Sequence, residues 1–376
     1  MFYYLAQWLR ILLDPPGFGV FQYITFRAAA AAITALIISF YFGPKIIRFM
    51  KTKQIGEQAK AELLSIGQHN IKAGTPTMGG LIVLLSILLP TLLWADIFNM
   101  FVIIIFITTV WMGLVGLLDD YLKVIKKKPK GLIGRYKIIG QFTIGLFIGI
   151  TIYFFPETFS STFPDVNTLT TVPFAKNVNV DFGLLYIPLI IFIITATSNA
   201  VNLTDGLDGL AIGTVGISVL ALAIIAYVTG NVKFADYLNI IYLNGSAELT
   251  IFCAALIGAS LGFLWYNSYP AQIFMGDTGS LALGGAIGAL VVLIKKEFLL
   301  PIIGGIFFAE TLSVIIQVSY FKYTKKKYGE GRRIFKIAPL HHHFEKLGIH
   351  ESKIVVRFYI VAVMLAIITM ATFKIR

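Results

Sequence analysis

Charged side chains are scarce in this chain. Only 13% of its 376 residues are Asp, Glu, Lys or Arg, against about 25% in an ordinary soluble domain. Acidic residues are scarcest, 19 in all, and there is a single cysteine, Cys253. One cysteine cannot form an internal disulfide, which excludes a disulfide-stapled secreted scaffold and leaves Cys253, in apolar surroundings, as a buried packing thiol. No internal repeat of 20–50 residues is visible, and no pair of inverted halves of the kind many transporters carry. The first 25 residues also lack the form of a signal peptide, because Arg10 interrupts the apolar run and Asp14-Pro15-Pro16 follows it. They read as an amphipathic segment lying on a membrane.

What the chain has in abundance is apolar surface: 57% of its residues are hydrophobic and the mean hydropathy is +0.82. That composition indicates an all-α integral membrane protein and excludes a disordered regulator. The net charge of +12 does not argue for nucleic acid, since basic excess in a membrane protein reports topology and anionic lipid. A span needs about 20 mostly apolar residues. Ten such stretches lie near 26–43, 78–94, 98–118, 138–155, 184–201, 210–229, 249–266, 280–294, 298–320 and 355–373. The loops after the first, third and ninth stretches hold 22 of the 31 basic residues. By the positive-inside tendency these loops are cytoplasmic, so ten spans place both termini outside. Lys295 and Lys296 fall in a short outer turn and run against the pattern. The stretch 156–183, with Pro156, Pro164 and Pro173, reads as an outer loop with some strand character near 177–180 and no chemistry. Residues 1–376 are expected to form a single polytopic domain.

With so few acids, their placement is informative. Asp119 and Asp120 follow the third stretch, Asp205 and Asp208 lie between the fifth and sixth, and Asp277 lies between the seventh and eighth. A carboxylate at a membrane boundary must be solvated, paired or bound to a cation. Three loops on one face each supplying such groups suggest a convergent anionic cluster able to hold Mg²⁺ beside phosphate oxygens. Single interfacial Asp residues often only cap helices, a reading that weakens for two adjacent like charges. Lys123 follows Asp119 by four residues, and Lys72 opens a glycine-rich turn carrying Thr75 and Thr77 close to a helix start, where anions are favoured. His341, His342 and His343 form an interior triplet suited to phosphate contact or acid–base work rather than to a zinc site. Glu310 falls inside the ninth stretch, where a structural hydrogen bond is expected.

Five segments carry a resemblance. They are Gly74-Thr75-Pro76-Thr77-Met78-Gly79-Gly80, Leu118-Asp119-Asp120-Tyr121, the run from Asn199 to Leu210, Phe274-Met275-Gly276-Asp277-Thr278-Gly279-Ser280, and His341-His342-His343-Phe344-Glu345. Together they resemble the polyprenyl-phosphate N-acetylhexosamine-1-phosphate transferase superfamily. The unbroken His triplet, led in by Arg332-Arg333-Ile334-Phe335-Lys336, resembles its phospho-N-acetylmuramoyl-pentapeptide transferase branch. The resemblance runs from about Phe21 to the C-terminus. It implies transfer of phospho-N-acetylmuramoyl-pentapeptide from its UDP carrier to undecaprenyl phosphate, giving lipid I and UMP, in the bacterial inner membrane. It also implies Mg²⁺ dependence, ten transmembrane helices with both termini outside, a cytoplasmic active site and a homodimer. Under the resemblance Asp119, Asp120, Asp277 and His341 are catalytic, with Asp277 a metal ligand. Lys72, Gly206, Leu207, Asp208, Asn267 and Phe274 line the uridine pocket, Phe274 by stacking. Thr77, Lys123, Asn202, Asp205, His342 and His343 complete the substrate contacts. A sister transferase using UDP-N-acetylglucosamine and a secondary transporter are the competing readings. The His segment argues against the first, and carboxylates gathered at one face argue against the second.

Overall fold

The computed structural model describes residues 1–13, 17–53, 74–128, 131–175 and 178–374. Apolar chain that cannot reach water must satisfy its peptide groups internally, so long hydrophobic runs become helices. In chain order these are α1 (Phe2–Leu13), α2 (Ile24–Thr52), α3 (Gly80–Trp94), α4 (Met100–Asp120), α5 (Gly134–Phe154), α6 (Tyr186–Thr204) and α7 (Leu210–Thr229). There follow α8 (Val232–Tyr237), α9 (Leu249–Asn267), α10 (Gly276–Leu293), α11 (Leu300–Ile303), α12 (Gly305–Tyr328), α13 (Leu340–Lys346) and α14 (Glu351–Ala371). Two short antiparallel strands, β1 (Leu169–Thr171) and β2 (Asn179–Asp181), pair Leu169 with Asp181 and Thr171 with Asn179. The strand character expected near 177–180 is thus real, although its partner lies ten residues earlier.

Nine of the ten apolar stretches each fall in one helix, most with shifted boundaries, and the stretch 298–320 is divided between α11 and α12. Among the described residues eight helices are long and apolar enough to cross a membrane, nine if α11 and α12 count as one bent span. The bend between those two is 82°, at Gly304. Helix α3 has 15 residues, about 22 Å of rise, less than the ~30 Å hydrocarbon layer. Helix α2 continues past the apolar run and through Pro44, carrying Lys45, Arg48 and Lys51 within it. The N-terminal segment is helical, as its amphipathic pattern suggested, and Tyr4 contacts Asp96 beyond the end of α3.

Helix α10 is the axis of the bundle: every residue from Thr278 to Leu293 is buried. It packs on α4, α6, α3 and α7. Its neighbours approach so closely that side chains are excluded. A Cβ on Gly116 of α4 would lie 2.2 Å from the Asp277 carbonyl oxygen, and one on Gly80 would lie 2.1 Å from the Gly279 nitrogen. This seam brings the C-terminal end of α4 against the first turn of α10. Cys253 is fully buried in the apolar core, as expected of a packing thiol.

The far end of α10 carries a buried polar network. Lys295 and Lys296 follow α10 in the expected turn, but both are fully buried. The Lys295 ammonium donates to the Tyr186 hydroxyl at 3.0 Å and to the Asn167 carbonyl, while Lys296 donates to Thr171 Oγ1 at 2.7 Å. Glu297 accepts from Thr170 and Tyr186. Burial pushes the Lys295 ammonium below its ordinary value, with the Glu297 carboxylate pulling the other way. These lysines anchor the two-stranded hairpin to α10, which is why they depart from the charge distribution of the loops.

Candidate active site

The site assembles where α4 ends and α10 begins. A helix N-terminus presents unpaired N–H groups, and here a carboxylate from another helix takes them. Asp120 accepts from Asp277 N at 3.1 Å, Thr278 N at 2.9 Å and Thr278 Oγ1 at 2.6 Å. The adjacent carboxylate points elsewhere. Asp119 Oδ1 accepts from Leu132 N at 2.8 Å and lies 3.1 Å from the Lys137 ammonium, and its Oδ2 contacts Lys123. Asp277 completes the cluster: Oδ2 accepts from Lys123 at 3.1 Å and Lys137 at 2.5 Å, and Oδ1 accepts from Asn202 at 3.0 Å. Asn202 is held in turn by Ser280 Oγ at 2.8 Å.

One oxygen from each of Asp119, Asp120 and Asp277 lies within 4.8 Å of the others. Three carboxylates facing two lysine ammoniums leave an excess of negative charge, and hard oxygen donors suit a hard divalent cation. The donor set therefore fits a metal ion: all three carboxylates have partners, but Asp120 is held by α10 itself, whereas Asp119 and Asp277 share the ammoniums of two flexible lysine side chains.

Around this cluster, two loops are stitched together by backbone hydrogen bonds. Phe274 N donates to the Pro76 carbonyl at 2.8 Å, and Gly79 N and Gly80 N donate back to Phe274 and Met275 at 2.8 and 2.7 Å. That pairing places the glycine-rich turn, with buried Thr77, beside Gly276; a Cβ on Gly276 would lie 3.2 Å from Thr77 Oγ1. Lys72 lies outside the described residues. A second set of contacts holds the 205–209 turn. Asp208 accepts from Ala271 N at 3.0 Å while its own N–H donates to Glu351 Oε1 at 2.7 Å. Asn267 Oδ1 accepts from Gly209 N at 3.1 Å and its Nδ2 donates to the Ile273 carbonyl at 2.9 Å. Leu207 is buried with Leu210, Ile354 and Val355. The side chains of Leu207, Asp208 and Asn267 thus set the shape of the turn, and Asp205 and Gly206 are its more exposed part.

The His segment forms α13. His341 is fully buried against Gly206, where an added Cβ would lie 2.1 Å from its Nε2. Glu310 accepts from the His341 backbone N–H at 3.2 Å, the structural hydrogen bond expected of that residue. His342 Nδ1 lies 2.6 Å from Glu345 Oε2, and burial holds this imidazole below its ordinary value while Glu345 pulls it up. His343 Nδ1 accepts from Lys336 N at 3.1 Å.

The structure therefore brings Asp119, Asp120, Lys123, Asn202 and Asp277 into one cluster, places Thr77 and Phe274 beside it, and joins His341 to the 205–209 turn. Sequence reasoning missed Lys137, counted only as a topology-setting charge, and Glu351. Lys137 borders the apolar stretch 138–155, and the structure takes it into the first turn of α5. Thr278 and Ser280, in the segment from Phe274 to Ser280, hold Asp120 and Asn202 in place.

Residues 102–295 match glycosyl transferase family 4, and residues 72–84 match phospho-N-acetylmuramoyl-pentapeptide-transferase signature 1. The chain is 57% identical to the phospho-N-acetylmuramoyl-pentapeptide-transferase of Chloroherpeton thalassium, with all of both chains covered. It is 51% identical to the proteins of the same name from Flavobacterium psychrophilum and Chlorobium phaeobacteroides, again with all of each chain covered.

Proposed function

The chain belongs to the phospho-N-acetylmuramoyl-pentapeptide-transferase family, and on that premise we propose how its residues carry the reaction. It is a multi-pass protein of the bacterial inner membrane, and it transfers phospho-N-acetylmuramoyl-pentapeptide from UDP-N-acetylmuramoyl-pentapeptide to undecaprenyl phosphate. The products are lipid I and UMP, in the first membrane step of peptidoglycan synthesis.

The observation that carries the site assignment is Asp277 at the start of α10, facing Asp119 across Lys123 and Lys137. Phosphoryl transfer asks for positioning and charge neutralisation more than for covalent help. Lys123 and Lys137 give up their carboxylate partners to the incoming pyrophosphate, whose oxygens they then neutralise. Mg²⁺ is the proposed cation, held by Asp277 with Asp119, and when bound it offsets phosphate charge. An oxygen of the lipid phosphate attacks the sugar-bearing phosphorus in line as the bond to the UMP oxygen breaks. Near neutral pH that phosphate is already mostly dianionic, its second pKa being about 6. Asp119 is the better placed of the adjacent pair to position it or take its remaining proton, because Asp120 is committed to α10.

The nucleotide is assigned to Thr77, Asn202, Asp205, Gly206, Leu207, Asp208, Asn267 and Phe274, with Lys72 added on the resemblance of its motif alone. Phe274 stacks on uracil, and the buried members act through the backbone they shape. His341 belongs to the catalytic group, and His342 and His343 to the phosphate-contacting edge. The proposed architecture is one domain over 1–376 with ten spans, both termini outside, the active site on the cytoplasmic face and a homodimeric assembly. UMP release by the purified protein tests this reading. Undecaprenyl phosphate with UDP-N-acetylmuramoyl-pentapeptide should support turnover that needs Mg²⁺. Turnover with UDP-N-acetylglucosamine instead would assign the chain to the sister reaction.

A further inference from the structure

Glu310, on α12, approaches His341 at two atoms. Its Oε1 accepts the His341 backbone N–H at 3.2 Å, and its Oε2 lies 3.3 Å from His341 Nδ1. Both side chains are buried, with 0% and 1% of their surface exposed. Among the described residues, Glu310 Oε2 and both His341 ring nitrogens have no hydrogen-bond partner, and Nδ1 and Oε2 approach to 3.3 Å without the alignment of a hydrogen bond. A carboxylate oxygen and a bare imidazole nitrogen both carry lone pairs, and in a buried site they repel. A proton on Nδ1 converts that repulsion into a charge-assisted contact.

We propose that Glu310 is a positioning residue for the transfer: it keeps a proton on His341 Nδ1, so that all proton exchange and anion contact of this ring passes through Nε2. Nε2 is the edge that faces Gly206, in the turn assigned above to the nucleotide. Among the described residues, His342 also lies against the ring, with centroids 4.2 Å apart, and His342 Nδ1 is itself 2.6 Å from Glu345 Oε2. The closure of α12 onto α13 thereby fixes which nitrogen of the histidine is chemically available. The inference rests on the proposed transferase reading for its kinetic consequence, but not for the tautomer.

The test uses the whole protein in detergent with ¹⁵N-labelled histidine, recorded over a range of alkaline pH. A His341→Gln variant identifies the His341 signals by difference. Wild type should show His341 protonated at Nδ1 and bare at Nε2. In Glu310→Gln the amide oxygen accepts the backbone N–H and the amide NH₂ faces Nδ1, so the proton should move to Nε2. Turnover should fall by roughly 10²-fold or more, the usual worth of a positioned acid or base, with KM for the UDP-sugar unchanged. A merely structural role would not relocate the proton. Wild-type His341 protonated at Nε2 overturns the proposal, as does a Glu310→Gln variant that keeps wild-type kcat. If the variant fails to fold, the wild-type spectrum decides alone. An inactive wild-type enzyme would count against the function while leaving the tautomer result intact.

Discussion

Two adjacent carboxylates with different partners should fail in different ways when altered. Asp120 holds three donors at the start of α10, so Asp120→Asn loses a charged acceptor in a buried site. Leaving such a donor unmet costs about 1–3 kcal/mol, and a lower midpoint of thermal unfolding in detergent should accompany the loss of turnover. Asp119→Asn keeps a carbonyl for the Leu132 N–H, so turnover should fall with a much smaller change in midpoint. Equal destabilisation by the two would contradict the division of roles. Lys137→Met removes one of the two ammoniums on Asp277 and should lower kcat by roughly 10²-fold, the scale of losing one preorganised donor. Full activity of that variant in a UMP-release assay would return Lys137 to the status of a topology charge.

At the scale of elements, the site depends on how closely α4 meets α10. A methyl group on Gly116 would press on the Asp277 carbonyl, which is backbone and cannot turn aside. Gly116→Ala should therefore reduce stability by about 1–3 kcal/mol or more and take activity with it. Gly134→Ala is the control at the start of α5, where an added Cβ meets nothing within 4 Å, and its unfolding midpoint should not fall. Helix α13 offers a pH test. Burial holds His342 below its ordinary 6.5, so the unfolded chain binds more protons at acidic pH than the folded one. The stability linked to this group is complete above that value and is lost as pH falls below it. The wild-type unfolding midpoint should drop between about pH 7 and pH 5, and His342→Gln should reduce the drop. An identical pH dependence in both would show that His342 contributes nothing to it.

For the whole molecule, the proposed orientation in the membrane can be read by thiol labelling. Cys253 is fully buried, so its replacement by Ala gives a quiet background. Into it, Phe174→Cys places a thiol in the hairpin connection and Lys327→Cys places one at the basic end of α12; both positions are exposed. An impermeant maleimide applied to intact spheroplasts should label the first and reach the second only after lysis. The reverse pattern would invert the topology.

The sequence by itself determined that this is a helical membrane protein, where its apolar runs lie, and which acids, lysines and histidines gather at their ends. Those properties follow from local composition, because hydrocarbon imposes helix on any long apolar run and admits charge only at its margins. The tertiary structure alone decided how these groups divide the work. Asp119 and Asp120 are indistinguishable as neighbours in sequence, yet successive positions on a helix point about 100° apart. One meets the lysines and the other meets the first turn of α10. Lys137, Glu310 and Glu351 belong to the site's surroundings through packing between helices distant in the chain. The same packing turned Lys295 and Lys296 from apparent exceptions in a loop into buried anchors. Periodicity and composition record which face of a helix is apolar, but partners across a helix–helix seam are fixed only when close approach, as at Gly116 and Gly80, sets the register between them.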